Sequence, residues 1–215
     1  MSGLVIALIV DIVKSRKLQD RVGAQRSIRA TFEDALRVRP PLRPLWPTVG
    51  DEFQAIFPTL GHALLTTTQV RLALPEDVDC RFGLGRGETV DVDEQAPGAI
   101  QDGSAWWNAR KAIEETHRRE HGGEPYLRSW FISNTPREVG AMALVNSFLL
   151  LRDASISSMR PRDRRLTAGS LYGHTQSELA EQEQISQSAV SQSLRRSGGA
   201  AIVAAQNELL QGEIQ

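Results

Sequence analysis

The feature that most constrains this chain is the run Gly3 to Val10, GLVIALIV, which stops at Asp11. It is rich in branched side chains and has neither a helical stripe nor a polar face, so it predicts a strand buried on both sides. The seven apolar residues from Leu4 to Val10 are too few to cross a bilayer and lack a basic leader, which predicts neither a membrane span nor a signal peptide. The other long apolar run, Gly140 to Leu151, is interrupted by Asn146 and Ser147 and is also short. The expectation is a soluble, cytoplasmic protein without a membrane partner. The single cysteine, Cys80, can form no internal disulfide and suits a reducing compartment.

After this strand, Asp20 to Val38 places Val22, Ile28, Phe32, Ala35 and Leu36 at helical spacing, and Pro40, Pro41 and Pro44 close the helix. Leu45 to Val49 and Phe53 to Phe57 flank Gly50-Asp51-Glu52 and read as a hairpin with an acidic tip. Thr59 to Leu74 predicts a helix. Val78 to Gly87 predicts a strand whose glycines, in FGLGRG, allow another backbone to approach closely. The order β, α, β, β, α, β is that of a ferredoxin-like α+β domain, an antiparallel sheet with helices on one face.

Beyond it lie an acidic loop from Thr89 to Gly103, a helix from Ala105 to Glu120 that carries Trp106, Trp107 and Asn108, and an edge strand from Tyr126 to Ile132. Thr135-Pro136 has the form of a helix start, and that helix is expected to reach about Asp153, followed by the basic stretch Arg160 to Arg165. The organisation expected is a nucleotide-binding domain over residues 1–134, a linker helix and basic segment over 135–165, and an all-α domain over 166–215.

The expected sheet puts Asp11 and Asp51 on adjacent strands at the same end. Two carboxylates so placed repel each other unless a divalent cation, Mg²⁺ or Mn²⁺, bridges them, and Mg²⁺ prefers a few carboxylates together with phosphate oxygens. A purine nucleotide is the expected ligand. The plainer reading is a strand end and a solvated turn. The pattern of an apolar strand ending in Asp11-Ile12, then Thr48 to Phe57 (TVGDEFQAIF), then Arg81 to Glu88 (RFGLGRGE) is similar to class III nucleotide cyclases and diguanylate cyclases. With Asp11 to Arg16 (DIVKSR) and the C-terminal segment included, the whole chain most closely resembles the SatD family. The resemblance implies a cyclase-palm fold with Asp11 and Asp51 on metal, and nucleotide contacts from Ile12, Lys14, Ser15, Arg16, Gly50, Glu52 and Arg86. Two departures bear on turnover. Asn108 and Arg110 stand two apart, about 200° round a helix, where cyclases space them four apart, and Val49 replaces a diguanylate cyclase glycine.

The C-terminal segment resembles a helix-turn-helix. Thr175 is placed as an N-cap with Glu178 at the capping-box position; Ser186 caps the next helix, whose Ala189, Val190 and Leu194 face inward. Thr175, Gln176, Ser186, Gln187, Ser188, Ser191 and Gln192 are then placed to meet DNA, with Arg195 and Arg196 on phosphates. The turn has Glu183-Gln184 where glycine is usual, so Gln184 is expected in the left-handed conformation. With a net charge of −1 and a pI near 6.4, DNA affinity must come from a local patch doubled in a homodimer. Three readings stay open: a nucleotide- and Mg-responsive DNA-binding transcription regulator, an active nucleotidyl cyclase, and a ligand-free dimerisation module joined to a DNA reader.

Overall fold

The computed structural model describes residues 4–48, 52–91 and 101–211. The apolar run forms β1 (Val5–Ile12), the central strand of a five-stranded sheet. It is followed by α1 (Arg21–Val38), β2 (Arg43–Pro47), β3 (Glu52–Phe57), α2 (Leu60–Ala73) and β4 (Cys80–Gly87). Asp20 caps α1 through Gly23 N–H, and Thr59 caps α2 through His62 N–H. Val49, Gly50 and Asp51 lie outside the described residues, but β2 and β3 pair antiparallel on either side of them.

β1 is antiparallel to β3 on one side and to β4 on the other, which gives the order β2-β3-β1-β4 of the expected ferredoxin-like core. A fifth strand, β7 (Ser129–Ser133), pairs with β4 in parallel, so the sheet is mixed and not purely antiparallel as expected. Between β4 and β7 run a two-stranded ribbon, β5 (Val90–Asp91) and β6 (Gln101–Asp102), and the helix α3 (Ser104–His121).

Helices cover both faces of the sheet, which corrects the expectation of one. Ile6, Leu8, Val10 and Ile12 share a buried cluster with Ile28, Phe32 and Leu64 from α1 and α2. Ala7 and Ile9 on the opposite face cluster with Ala105, Trp106, Ala109 and Ile113 of α3. This double burial is why β1 shows no polar alternation. The close approach anticipated from FGLGRG is made by α3: a Cβ on Gly85 would sit 2.1 Å from Ala109 N and 2.2 Å from Ala105 O. Trp106 is buried edge-on against Trp46 at 5.8 Å, whereas Trp107 is half exposed and donates to Asp102.

The remaining helices are α4 (Val139–Ser158), α5 (Pro161–Leu171), α6 (Gln176–Gln182), α7 (Gln187–Ser197) and α8 (Gly199–Gln211). A single 3-10 turn, Pro136–Glu138, precedes α4, and the Thr135 side chain makes no cap bond. α4 continues unbroken through Asn146 and Ser147. The Asn146 amide bonds both backbone groups of Phe131, fastening α4 to β7. Residues Pro136–Ser158 are long and apolar enough to cross a membrane by length and composition alone; 28% of that window is buried, and Leu144 and Leu151 are exposed.

Candidate functional site

The antiparallel register sets Asp11 of β1 opposite Glu52 of β3 and opposite Arg81 of β4, at the end of the sheet face that α3 covers. A cleft of about 570 Å³ opens there, lined by Asp11, Ile12, Lys14, Ser15, Arg16, Lys17, Glu52, Arg81, His117, Glu120 and His121. Lys14 has φ 53°, and this left-handed residue turns the chain from β1 into the single 3-10 turn Ser15–Lys17. The cationic residues of that turn therefore stand at the cleft wall and not along a helix.

Each described carboxylate in the cleft meets a guanidinium. Asp11 accepts from Arg81 at 2.7 Å, and Arg81 also donates to Glu120 at 2.7 Å. Glu52 accepts from Arg110 with both oxygens, at 2.5 and 2.8 Å, an arrangement that holds the Arg110 pKa up against the pull of burial. Among the described residues no group of three or more His, Cys, Asp or Glu is placed to hold a metal ion. This donor set, with arginine on its acids, does not by itself fit a divalent cation. Asp51 and Gly50, the other residues expected there, lie outside the described residues.

Of the expected nucleotide contacts, Ile12, Lys14, Ser15, Arg16 and Glu52 come together in this cleft with Asp11, the expected metal ligand. Arg86 does not. It lies opposite Ile6, five residues along β4 from Arg81 or about 17 Å away, and pairs with Glu138 at 3.2 Å. Asn108 is buried and donates to the Arg86 carbonyl while Arg110 reaches Glu52, so the two point to different places, as their spacing requires. Sequence reasoning missed Arg81, Glu120, His117 and His121. The i, i+4 spacing of the histidines, whose rings stack at 4.7 Å, was a signal for one face of α3; Arg81 needed the register of β4 against β1.

From Glu120 a chain of polar contacts continues inward. Arg128 lies 3.3 Å from Glu120 and donates to Asp79, and its backbone N–H bonds Asp153 at 2.7 Å. Asp153 is fully buried. Burial pushes its pKa up, but Arg152, Arg71 and the Arg128 N–H outweigh burial and hold it below the usual carboxylate range. Arg164 of α5 donates to the Arg71 carbonyl at 2.5 Å, and Asp163, one residue before it, accepts from Ser193 of α7.

In α6 and α7 the anticipated caps are formed. Thr175 Oγ1 accepts from Glu178 N–H while the Glu178 carboxylate accepts from Thr175 N–H, and Ser186 Oγ accepts from Ala189 N–H. Leu179, Ala180, Val190 and Leu194 form a small core with Leu166 of α5. Gln184 has φ 53°, the left-handed conformation anticipated for it. Thr175, Gln176, Ser186, Gln187, Ser188, Gln192, Arg195 and Arg196 are exposed and Ser191 is partly so. Arg196 also lies 3.7 Å from Asp163.

The SatD family model matches residues 5–208. The chain belongs to the SatD family. No curated protein matches this SatD-family chain. Solved structures similar to it include the dimeric guanylyl cyclase domain of the RhoGC fusion protein from the aquatic fungus Blastocladiella emersonii. That match has 13% identity and a TM-score of 0.42, over 53% of this chain and 74% of the other. A bacterial light-regulated adenylyl cyclase is similar at 15% identity and a TM-score of 0.41, over 55% of this chain and 72% of its own. A regulator of polyketide synthase expression from Bifidobacterium adolescentis is similar over 100% of this chain and 84% of its own, with 15% identity and a TM-score of 0.30.

Proposed function

We propose that this SatD-family protein is a DNA-binding transcription regulator, working as a homodimer, whose affinity for DNA responds to a purine nucleotide in the Asp11 cleft. The observation that carries the reading is a route of polar contacts from the cleft to α5 through Asp11, Arg81, Glu120, Arg128, Asp153, Arg71 and Arg164, partly by backbone groups, where the neighbouring residue Asp163 holds Ser193 of α7. An anion set against Lys14, Arg16 and Lys17 lies in the same cleft as the Asp11–Arg81 pair, and the altered charge balance there is passed along this route to the α5 contact with α7. The hydrogen-bonding face of α7 supports a role in base readout, because Gln187, Ser188 and Gln192 lie exposed in its first two turns. Coupling of this kind is a free energy between two sites, and it acts reciprocally.

The test is selection of binding sequences from a random duplex library, then anisotropy titration of the selected duplex with and without ATP or GTP, each with and without Mg²⁺ or Mn²⁺. The expected result is a pseudo-palindromic site whose affinity changes at least about fivefold with one nucleotide, a coupling of about 1 kcal/mol. Coupling that needs the metal and is lost in Asp51→Asn would support a ligand role for Asp51. No enriched sequence, or an affinity unchanged by every nucleotide, overturns the proposal. Release of pyrophosphate from ATP or GTP would replace it with the cyclase reading.

A further inference from the structure

Away from the Asp11 cleft, a second cavity of about 410 Å³ opens where the end of α2, the start of β4, the loop before β7 and the α4–α5 junction meet. Arg71, Arg128 and Arg164 line it together with Glu76, Asp79 and Tyr126. Three guanidiniums around one small space are costly unless each finds an anion. Arg128 has Asp79 at 2.5 Å. Arg71 is buried, pairs with Asp153 at 2.6 Å and donates to Ser157 and to the Tyr126 carbonyl, yet its Nε has no acceptor.

Arg164 is the least compensated. One of its terminal nitrogens serves the carbonyls of Arg71 and Leu74, its Nε is buried without an acceptor, and among the described residues no carboxylate lies within ion-pairing distance. Burial lowers the pKa of both Arg71 and Arg164, outweighing the nearby carboxylates Asp153 and Asp79 for Arg71 and Asp79 and Glu76 for Arg164. The cavity volume falls in the range of small-ligand sites, larger than one inorganic ion needs.

We propose that this cavity binds the phosphate group of a small phosphorylated molecule, with Arg164 and Arg71 as its cationic wall and the exposed carboxylate of Glu76 opposing the anion's entry. A phosphate there bridges α2 of the sheet unit to the start of α5, and so fixes the junction from which the last four helices extend. The two spaces share no lining residue, so phosphate binding here does not require a nucleotide in the Asp11 cleft, although Arg71, Arg128 and Arg164 also belong to the route proposed from that cleft to α7.

The experiment is calorimetric titration of the full chain with inorganic phosphate and with glycerol 3-phosphate at fixed ionic strength, accompanied by thermal unfolding. Wild type is expected to bind glycerol 3-phosphate saturably and unfold at a higher temperature with it. Arg164→Gln is expected to weaken binding about tenfold or more, the loss of one charge-assisted contact. Glu76→Gln, an exposed change that leaves the core untouched, is expected to tighten it. Equal affinity for inorganic phosphate would keep the site and assign it to the free ion. The proposal is overturned by absence of saturable binding, by unchanged affinity in Arg164→Gln, or by loss of binding in a Lys14→Ala, Arg16→Ala variant. It is also overturned if Glu76→Gln destabilises the chain without tightening binding, because Glu76 is then itself the partner of Arg164.

Discussion

Replacing Asp153 by Asn removes one charge and almost no volume, so its effect isolates the electrostatics of the junction between α4 and the sheet. In the wild type one carboxylate oxygen lies 2.8 Å from Arg152 and 2.6 Å from Arg71, and the other accepts the Arg128 N–H at 2.7 Å. Arg71 and Arg152 are both buried, with side chains 4% and 1% exposed, so neither can turn to water when its counter-charge is lost. Breaking a buried pair from one side costs about 3–5 kcal/mol. Against a total stability of about 5–15 kcal/mol, that is a large fraction. Urea unfolding followed by tryptophan fluorescence measures it. The pH dependence gives a second check: the folded pKa of Asp153 is depressed, so its contribution is fully present above the unfolded value of about 3.9 and fades as pH falls toward the folded value. The gap between wild type and Asp153→Asn is therefore expected to be constant from pH 7 to about pH 5 and to shrink below about pH 4. A difference under about 1 kcal/mol at pH 7, or one that widens in acid, would refute this account of the junction.

Gly85→Ala is expected to destabilise by about 1–3 kcal/mol in the same unfolding assay, because its Cβ would overlap the α3 backbone at Ala105 and Ala109. Gln184→Gly is expected to stabilise the α6–α7 unit by about 0.5–1 kcal/mol by relieving the left-handed backbone at φ 53°; a loss of stability would contradict that turn geometry. Arg195→Gln, at an exposed site on α7, is expected to lower DNA affinity evenly across sequences and reduce the salt slope by about one unit, read by anisotropy at several salt concentrations.

Much of the sheet and its flanking helices was legible in the sequence because the signals were local. The unalternating run from Leu4 to Val10 dictated a strand covered on both faces, even though the place of the predicted helix α3 on the second face was not foreseen. The glycines of β4 announced a close approach without naming its partner. The caps at Thr175 and Ser186 and the left-handed Gln184 were readable because each depends on residues three or four apart.

What tertiary structure alone decided is which partners the charged side chains meet. Arg81 reaches Asp11 across a separation of 70 residues, Arg152 reaches Thr67 across 85, and Arg164 reaches the Arg71 carbonyl across 93. Arg86 carries the same side chain on the same strand as Arg81, yet five residues of extended backbone place it at the far end of the sheet. Hydrophobic periodicity and capping are written in neighbouring residues, so the sequence by itself determined the main strands and helices of this protein, though not the β5–β6 ribbon or the start of α5. Ion pairing depends on strand register and helix docking, which no short window contains, so the folded chain alone determined that its central acid faces an arginine.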